Sequence, residues 1–393
     1  MFAQIRRLML GNGVAQVIQF AAIPLLSRLY EPVHFAPLYH AQALATILAI
    51  FATLQLHLAL PQARDQSEAR RWARAVIALC FLICATIAPL IYITIGNFWA
   101  ALLTFCLGAT NTVINLRVFQ QQFASIAKFQ VVRAVIIVTT QAGLQLIFHI
   151  DNLLVATVVA EIVVASLFIF QSGIGWPTKR DIRAGITLAR NRSNFTVFGT
   201  LHEAVSSAVF YAPLFLFSVY FGDAVSAQFA MANRLVWAPV VLLSASAAQV
   251  TYQRFCQLPS QTVWETLLRY LEESRRHSVW ALLAGIVVIV IAPVAVHIAL
   301  GSAWDIAASM VSPLVMWGLV FIASIPFRSA CRALSLQKWQ LAIEILLGFG
   351  FLMVFVFLKT DSPEKTLWFI AALAAIQNIS LAFVIKSTVK ITA

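Results

Sequence analysis

The sequence predicts an all-α polytopic membrane protein of about 12 transmembrane helices, in two halves of six. Three observations predict it. Apolar residues make up 61% of the 393 and charged residues only 11%, where a soluble chain runs near 25% charged. Apolar runs long enough to cross a bilayer, about 20 residues each, recur along the whole chain. Lysine and arginine gather in every second connection between those runs, which is how cytoplasmic loops are marked.

The predicted spans are 8–29, 36–60, 75–95, 98–117, 130–149, 153–172, 195–220, 225–250, 279–300, 308–327, 340–358 and 366–386. The first begins behind Arg6 and Arg7, carries Asn12, Gln16 and Gln19, and lacks a small-residue cleavage site. It reads as a retained span and not as a removable signal peptide. Several spans contain proline or polar residues, which lipid tolerates only where those faces meet other helices or water. The connections on one side hold Arg64, Arg70, Arg71 and Arg74, then Arg117, Lys128 and Arg133, then Lys179, Arg180, Arg183, Arg190 and Arg192. Arg254, Arg269, Arg275 and Arg276 follow, then Arg328, Arg332 and Lys338, and finally Lys386 and Lys390. With Arg6 and Arg7 these are 23 of the 27 basic residues, against Arg28, Lys359 and Lys365 on the other side and Arg234 within a span. The split places both termini in the cytoplasm. It also assigns the +12 net charge to topology and argues against nucleic-acid binding.

The connection at 173–194 opens with Gly173, Gly175 and Pro177, continues into a basic stretch and has six spans on either side. It divides the chain into lobes of residues 1–172 and 195–393 joined by a cytoplasmic linker. A second long connection, around Trp264 to His277, has the pattern of an amphipathic interfacial helix. A weak internal repeat accompanies the division: Ile23-Pro24-Leu25-Leu26 with Tyr30 and Phe35 in the first half, Ala212-Pro213-Leu214-Phe215 with Tyr220 and Phe229 in the second.

No catalytic constellation is apparent: there is no GxSxG, Walker A or HExxH motif, so the chain reads as a non-enzyme without a cofactor. The five cysteines (Cys80, Cys84, Cys106, Cys256 and Cys331) form no CxxC and read as small apolar residues, with no metal site implied. His40, His57, His149 and His297 are scattered and read as structural. What remains are polar groups at bilayer depth, each a site candidate because it is costly there. Arg234, beside Asn233 and one turn before Trp237, must face a carboxylate, an aromatic ring or a hydrated cavity. Its planar guanidinium suits phosphate, and a purely structural ion pair is the alternative. Glu203, two turns into its span, either exchanges a proton during transport or pairs with Arg234. Glu161 is a second ion-coupling candidate, while Glu344 reads as an interfacial carboxylate within reach of water. Uncharged stripes occur on span 1 (Asn12, Gln16, Gln19) and span 4 (Thr104, Gly108, Asn111, Asn115), and Gln377 and Asn378 lie in span 12. Such stripes suit hydroxyl-rich ligands and equally serve to join helices.

Two stretches carry a family resemblance. Pro24-Leu25-Leu26-Ser27-Arg28-Leu29-Tyr30-Glu31-Pro32 with Phe35 leads to His57-Leu58-Ala59-Leu60-Pro61 and Glu68-Ala69. Pro213-Leu214 continues through Tyr220-Phe221-Gly222-Asp223, Phe229-Ala230, Arg234 and Pro239 to Gln249-Val250-Thr251-Tyr252. Together they resemble the polysaccharide-transport (Wzx-type, O-antigen flippase-like) branch of the superfamily that also holds the MATE exporters and the lipid II flippases. Ala36 and Ala227 stand where that family has glycine. The resemblance implies two six-helix lobes around a central cavity, alternating access, and undecaprenyl-diphosphate-linked oligosaccharide as cargo. Membrane lipids and a polysaccharide polymerase machinery are the partners that go with it, in a bacterial inner membrane. It carries over Arg28, Pro213, Arg234 and Pro239 as matched positions. A cation-coupled MATE-like exporter and a membrane-embedded polysaccharide polymerase or ligase are the alternatives.

Overall fold

The computed structural model describes residues 2–95, 98–175, 177–192, 194–256, 262–273, 275–334, 336–357 and 362–392. Among them there are helices and no strands. In chain order the α-helices are α1 (Phe2–Leu29), α2 (Pro32–Thr53), α3 (Gln66–Ile95), α4 (Trp99–Phe119), α5 (Phe123–Phe148), α6 (Leu153–Ser172) and α7 (Lys179–Asn191). They continue as α8 (Thr200–Phe221), α9 (Asp223–Cys256), α10 (Val263–Glu273), α11 (Arg275–Leu300), α12 (Asp305–Ala333), α13 (Gln337–Phe357) and α14 (Pro363–Thr392). All but α7 and α10 have at least 20 residues, so twelve long helices stand where the sequence predicts spans. Nine among the described residues are long and apolar enough to cross a membrane, and α1 and α11 carry shorter apolar stretches, Gly13–Leu29 and Gly285–Leu300. Phe170, Ile93 and Val219 are 86%, 80% and 78% exposed, an apolar exterior that only lipid can solvate.

Local chemistry sets the helix ends. Proline at the first position of α2 holds Glu31 extended. The apolar run predicted to continue to residue 60 breaks at Leu54 and Gln55, both left-handed (φ 49° and 54°). A 3-10 segment, Leu56–Gln62, follows, with Leu56, His57, Ala59 and Leu60 buried. Asp65 then starts α3 by accepting from the Ser67 hydroxyl (2.6 Å) and the Glu68 amide (2.8 Å), while Glu68 reaches back to the Arg64 amide (2.7 Å). These bonds hold the Asp65 carboxyl below its ordinary pKa, the Ser67 hydroxyl contributing most. The stretch expected as a linker holds a helix: α7 is capped by Thr178 and Asp181 in a reciprocal box. A short π-helical segment, Asn194–Gly199, leads on into α8.

The chain forms two compact units, residues 1–208 and 209–393, so the division falls within α8. In the first, α4 is the hub, packed against α2, α3 and α6. Gly108 lets α4 approach so closely that a methyl group there would stand 2.6 Å from Cys80 Sγ and 3.0 Å from Thr53 Cγ2. Tyr30 ties α1 to α5 by donating to the Gln141 carbonyl (2.8 Å), and the Gln141 amide donates to Thr157 of α6 (2.8 Å). In the second unit α12 is the hub, against α9, α11 and α14. Trp237 of α9 packs edge-on against Phe210, Trp317 and Phe321. Gln228 accepts from the Ala307 amide (2.8 Å) and the Thr251 and Ser329 hydroxyls lie 2.9 Å apart, both ties joining α9 to α12.

Candidate functional site

In the first unit, Arg133 of α5 reaches Glu161 of α6. Its Nη2 lies 2.5 Å from Oε1, and Nε lies 3.2 Å from both carboxylate oxygens. Glu161 is buried and the arginine side chain mostly so. By sequence, Arg133 counts with the basic residues of a connection, at the very start of span 5 (130–149). The helix begins at Phe123 instead, which puts Arg133 about 15 Å along it at 1.5 Å per residue. An arginine at that depth needs a carboxylate, and Glu161 supplies one.

Arg117, also expected in that connection, is 5% exposed at the end of α4. It donates to the Ser125 hydroxyl (2.7 Å), and its guanidinium carbon lies 4.6 Å from the centre of the Phe168 ring. The span 4 stripe divides between two surroundings. Thr104 and Gly108 are buried in helix packing, whereas Asn111 is exposed and the half-buried Asn115 donates to its carbonyl (2.9 Å). On α1, Gln16 and Gln19 are half-buried. The side chain of Asn12 lies outside the described residues, as do those of Arg6, Arg7, Arg254, Cys256, Arg275, Arg276, Arg332, Lys359 and Lys390. Glu203 sits in the first turn of α8 and its side chain is exposed.

The second unit holds a larger polar cluster. Arg328, near the end of α12, donates to Glu344 of α13 (2.9 Å), Gln377 of α14 (3.3 Å) and Ser324 (3.1 Å), and stacks over Phe321 at 5.3 Å. Gln340 also donates to Glu344 (3.3 Å), and Asn378 donates to the Val320 carbonyl (2.9 Å). Glu344 is therefore a buried, ion-paired carboxylate and not an interfacial one. Gln340 Oε1, Gln377 Nε2 and Asn378 Oδ1 are buried with no hydrogen-bond partner among the described residues. A half-satisfied polar network inside helices is expensive, so these atoms mark the cluster as more than helix glue. By sequence, span 10 ends at residue 327 and Arg328 counts with the basic residues of the connection that follows. The signal available was the apolar run continuing through Ala330 and Cys331, both fully buried.

Asn233 and Arg234 lie together in the third turn of α9, half-buried, one turn before Trp237. Glu203 belongs to the first unit and Arg234 to the second. Each unit thus buries an arginine-carboxylate pair and stacks an arginine on phenylalanine near the end of its hub helix. Among the described residues no group of three or more His, Cys, Asp and Glu could hold a metal ion.

The comparisons with known proteins agree with this architecture. No curated protein sequence matches the chain. Among solved structures, the lipid II flippase MurJ in an inward closed conformation is similar at TM-score 0.74 and 11% identity, over 98% of this chain and 88% of that one. An inward-facing multidrug resistance MATE family transporter of the MOP superfamily follows at TM-score 0.60 and 15% identity, over 95% and 98%. A eukaryotic MATE transporter matches at TM-score 0.60 and 12% identity, over 98% and 96%. At these identities the likeness is one of fold. The family model described as polysaccharide biosynthesis protein matches residues 3–258, well over half of the chain, and the protein, multi-pass and built on the MurJ and MATE fold, belongs to that family.

Proposed function

We propose that the protein is a flippase that carries undecaprenyl-diphosphate-linked oligosaccharide across the bacterial inner membrane by alternating access, for surface polysaccharide assembly. The observation that carries this reading is the family match over residues 3–258 in a chain whose fold is similar to that of a lipid II flippase. In this reading the lobes are residues 1–172 and 195–393, the segment 173–194 is a cytoplasmic linker, and both termini face the cytoplasm. The sugar headgroup crosses along polar side chains while the polyprenyl tail stays in lipid. Arg234 and Asn233, with Gln16, Gln19, Asn111, Asn115, Gln377 and Asn378, contribute the polar surface, and Arg234 attracts the diphosphate. A polysaccharide polymerase receives the product.

The test is flipping of a lipid-linked oligosaccharide in proteoliposomes. Arg234→Ala should slow it at least tenfold, and Arg234→Lys, which keeps the charge without the planar fork, should recover part of the rate. Normal flipping by both variants overturns the role of Arg234. A wild-type protein that flips no lipid-linked sugar overturns the function.

A cation-coupled exporter is the second reading, favoured by the likeness to MATE transporters. It needs an acidic group free to exchange a cation. Glu161 is committed to Arg133, which leaves Glu203 as its acidic candidate. Resistance conferred on an exporter-deficient strain, lost in Glu203→Gln, would establish it.

A further inference from the structure

A second concentration of positive charge lies away from the residues assigned above. Where α7 crosses α3, a cleft of about 580 Å³ opens between them. One wall is Arg64 with Glu68, Arg71 and Trp72 of the first turns of α3. The other is Thr187, Asn191 and Arg192 of α7 and its end. Ala184, Thr187, Leu188 and Asn191 recur at i, i+3, i+4 and i+7, so one face of α7 lines the cleft. Gly185 holds the helices together: a methyl group there would stand 2.8 Å from the Ala75 carbonyl oxygen. Asp181 of α7 lies 3.8 Å from Arg74, a second tie between them. The walls are therefore braced by packing and by the Thr178 cap.

The cleft has an unbalanced charge. Three guanidiniums line it against one carboxylate, and Glu68 is already engaged as the acceptor for the Arg64 amide. Arg192 is fixed over the Trp72 ring, its guanidinium carbon 5.2 Å from the centroid. Arg64 and Arg71 are exposed, and neither makes a salt bridge within 4 Å among the described residues, the Asp65 carboxylate acting on Arg71 only through its field. Guanidiniums converging from two elements form the donor geometry that phosphate oxygens satisfy. The opposite flank of α7 borders a largely apolar groove of about 480 Å³ lined by Leu54, Leu79, Ile186, Ala189 and Val197 with Arg190 and Thr196. Lys179, Arg180 and Arg183 of the same helix are exposed. A helix with a largely apolar groove on one flank and exposed cations has the pattern that suits a lipid headgroup boundary.

We propose that the α3–α7 cleft binds a phosphate-bearing anion, with Arg64, Arg71 and Arg192 as its ligands. The phosphate can be the headgroup of an acidic membrane lipid or a free phosphate anion, and the chemistry of recognition is the same for both. Lipid binding would clamp α7 to α3 at the membrane surface. The inference does not depend on the transport reading.

The test uses the full chain purified in detergent. Binding of phosphatidylglycerol, phosphatidylcholine and inorganic pyrophosphate is followed by native mass spectrometry and by thermal stabilisation. Phosphatidylglycerol or pyrophosphate should bind saturably and phosphatidylcholine at least tenfold more weakly. Stabilisation by phosphatidylglycerol alone assigns the lipid as source, and stabilisation by pyrophosphate at micromolar concentration assigns a free anion. The Arg64→Gln/Arg71→Gln double variant should lose roughly tenfold or more in affinity. Arg64→Lys/Arg71→Lys, retaining charge, should lose less. Both positions are exposed, so the double variant should keep the unliganded melting temperature. Binding undiminished in the Gln pair, or equal for phosphatidylcholine and phosphatidylglycerol, overturns the proposal.

Discussion

Replacing Glu161 by leucine should destabilise the folded protein by about 3–5 kcal/mol, because it strands Arg133 as a buried unpaired cation. Three nitrogen–oxygen contacts of 2.5 to 3.2 Å join the two side chains. At about 3 Å and an effective dielectric near 20, their attraction is worth on the order of 5 kcal/mol. Arg133→Met should cost a similar amount by leaving the carboxylate unpaired. The Arg133→Met/Glu161→Leu double variant removes both charges and replaces them with apolar volume, so it should recover most of the loss. Thermal or denaturant unfolding of the three variants in one detergent gives the cycle, and lipid-linked oligosaccharide flipping gives the second readout. A stable double variant that still flips makes the pair structural. A stable double variant that has lost flipping at every pH assigns Glu161 to ion coupling instead. Single variants within about 0.5 kcal/mol of wild type would refute the argument, since no desolvated pair could be removed so cheaply.

Other consequences are as direct. Gly108→Val should destabilise the first unit by about 1–3 kcal/mol, because its side chain enters space held by Cys80 and Thr53; the melting temperature checks this. Burial holds the His57 imidazole at a pKa of about 4, below its ordinary 6.5, so the folded form stays neutral where the unfolded chain takes a proton. Stability should therefore fall as pH drops from about 6.5 to about 4, by roughly 3 kcal/mol, and a pH series of unfolding curves should lose that slope in His57→Phe. Arg328→Gln should destabilise the second unit by about 3 kcal/mol or more through the unpaired Glu344. Arg328→Gln/Glu344→Gln should restore most of it in the same unfolding assay.

The fold was legible because lipid imposes a length and polarity rule on every span. Residues 153–172 were predicted as span 6, and α6 is Leu153–Ser172. The stretch around Trp264 to His277, expected as an amphipathic helix, holds α10 (Val263–Glu273) and the start of α11 (Arg275–Leu300). What the rule reads poorly is where a helix enters the membrane face. Phe123 to Phe129 mixes Ser125 and Lys128 with apolar residues, so span 5 starts late in the sequence reading and Arg133 falls at its edge, where it reads as a connection charge. The linker was read from Gly173, Gly175 and Pro177, and the helical face that follows was hidden by its charge. Leu54 and Gln55 gave no sign of a break, since neither is a residue that favours left-handed backbone. The candidate site was legible one residue at a time: Gln377 was singled out as a polar group at depth, but its neighbour Arg328 was not. Pairing across helices depends on rotation and register, which a single span does not encode.

The buried arginines also change how the charge of this chain is to be counted. Arg117, Arg133 and Arg328 contribute to the 23 basic residues assigned to one side, yet each is held within helix packing by hydroxyl, carboxylate or aromatic partners. Setting those three aside leaves 20 against Arg28, Lys359 and Lys365, so the bias that orients the chain survives their removal. The three form a different class. Arg117 and Arg328 lie near the ends of α4 and α12, the hub helices of their units. A guanidinium there lets the hub end in a polar layer while its stem stays in apolar packing. The arginines of the α3–α7 cleft line an open cleft, Arg192 over the Trp72 ring and Arg64 and Arg71 exposed. Of the three classes it is this last that faces open space from two elements at once.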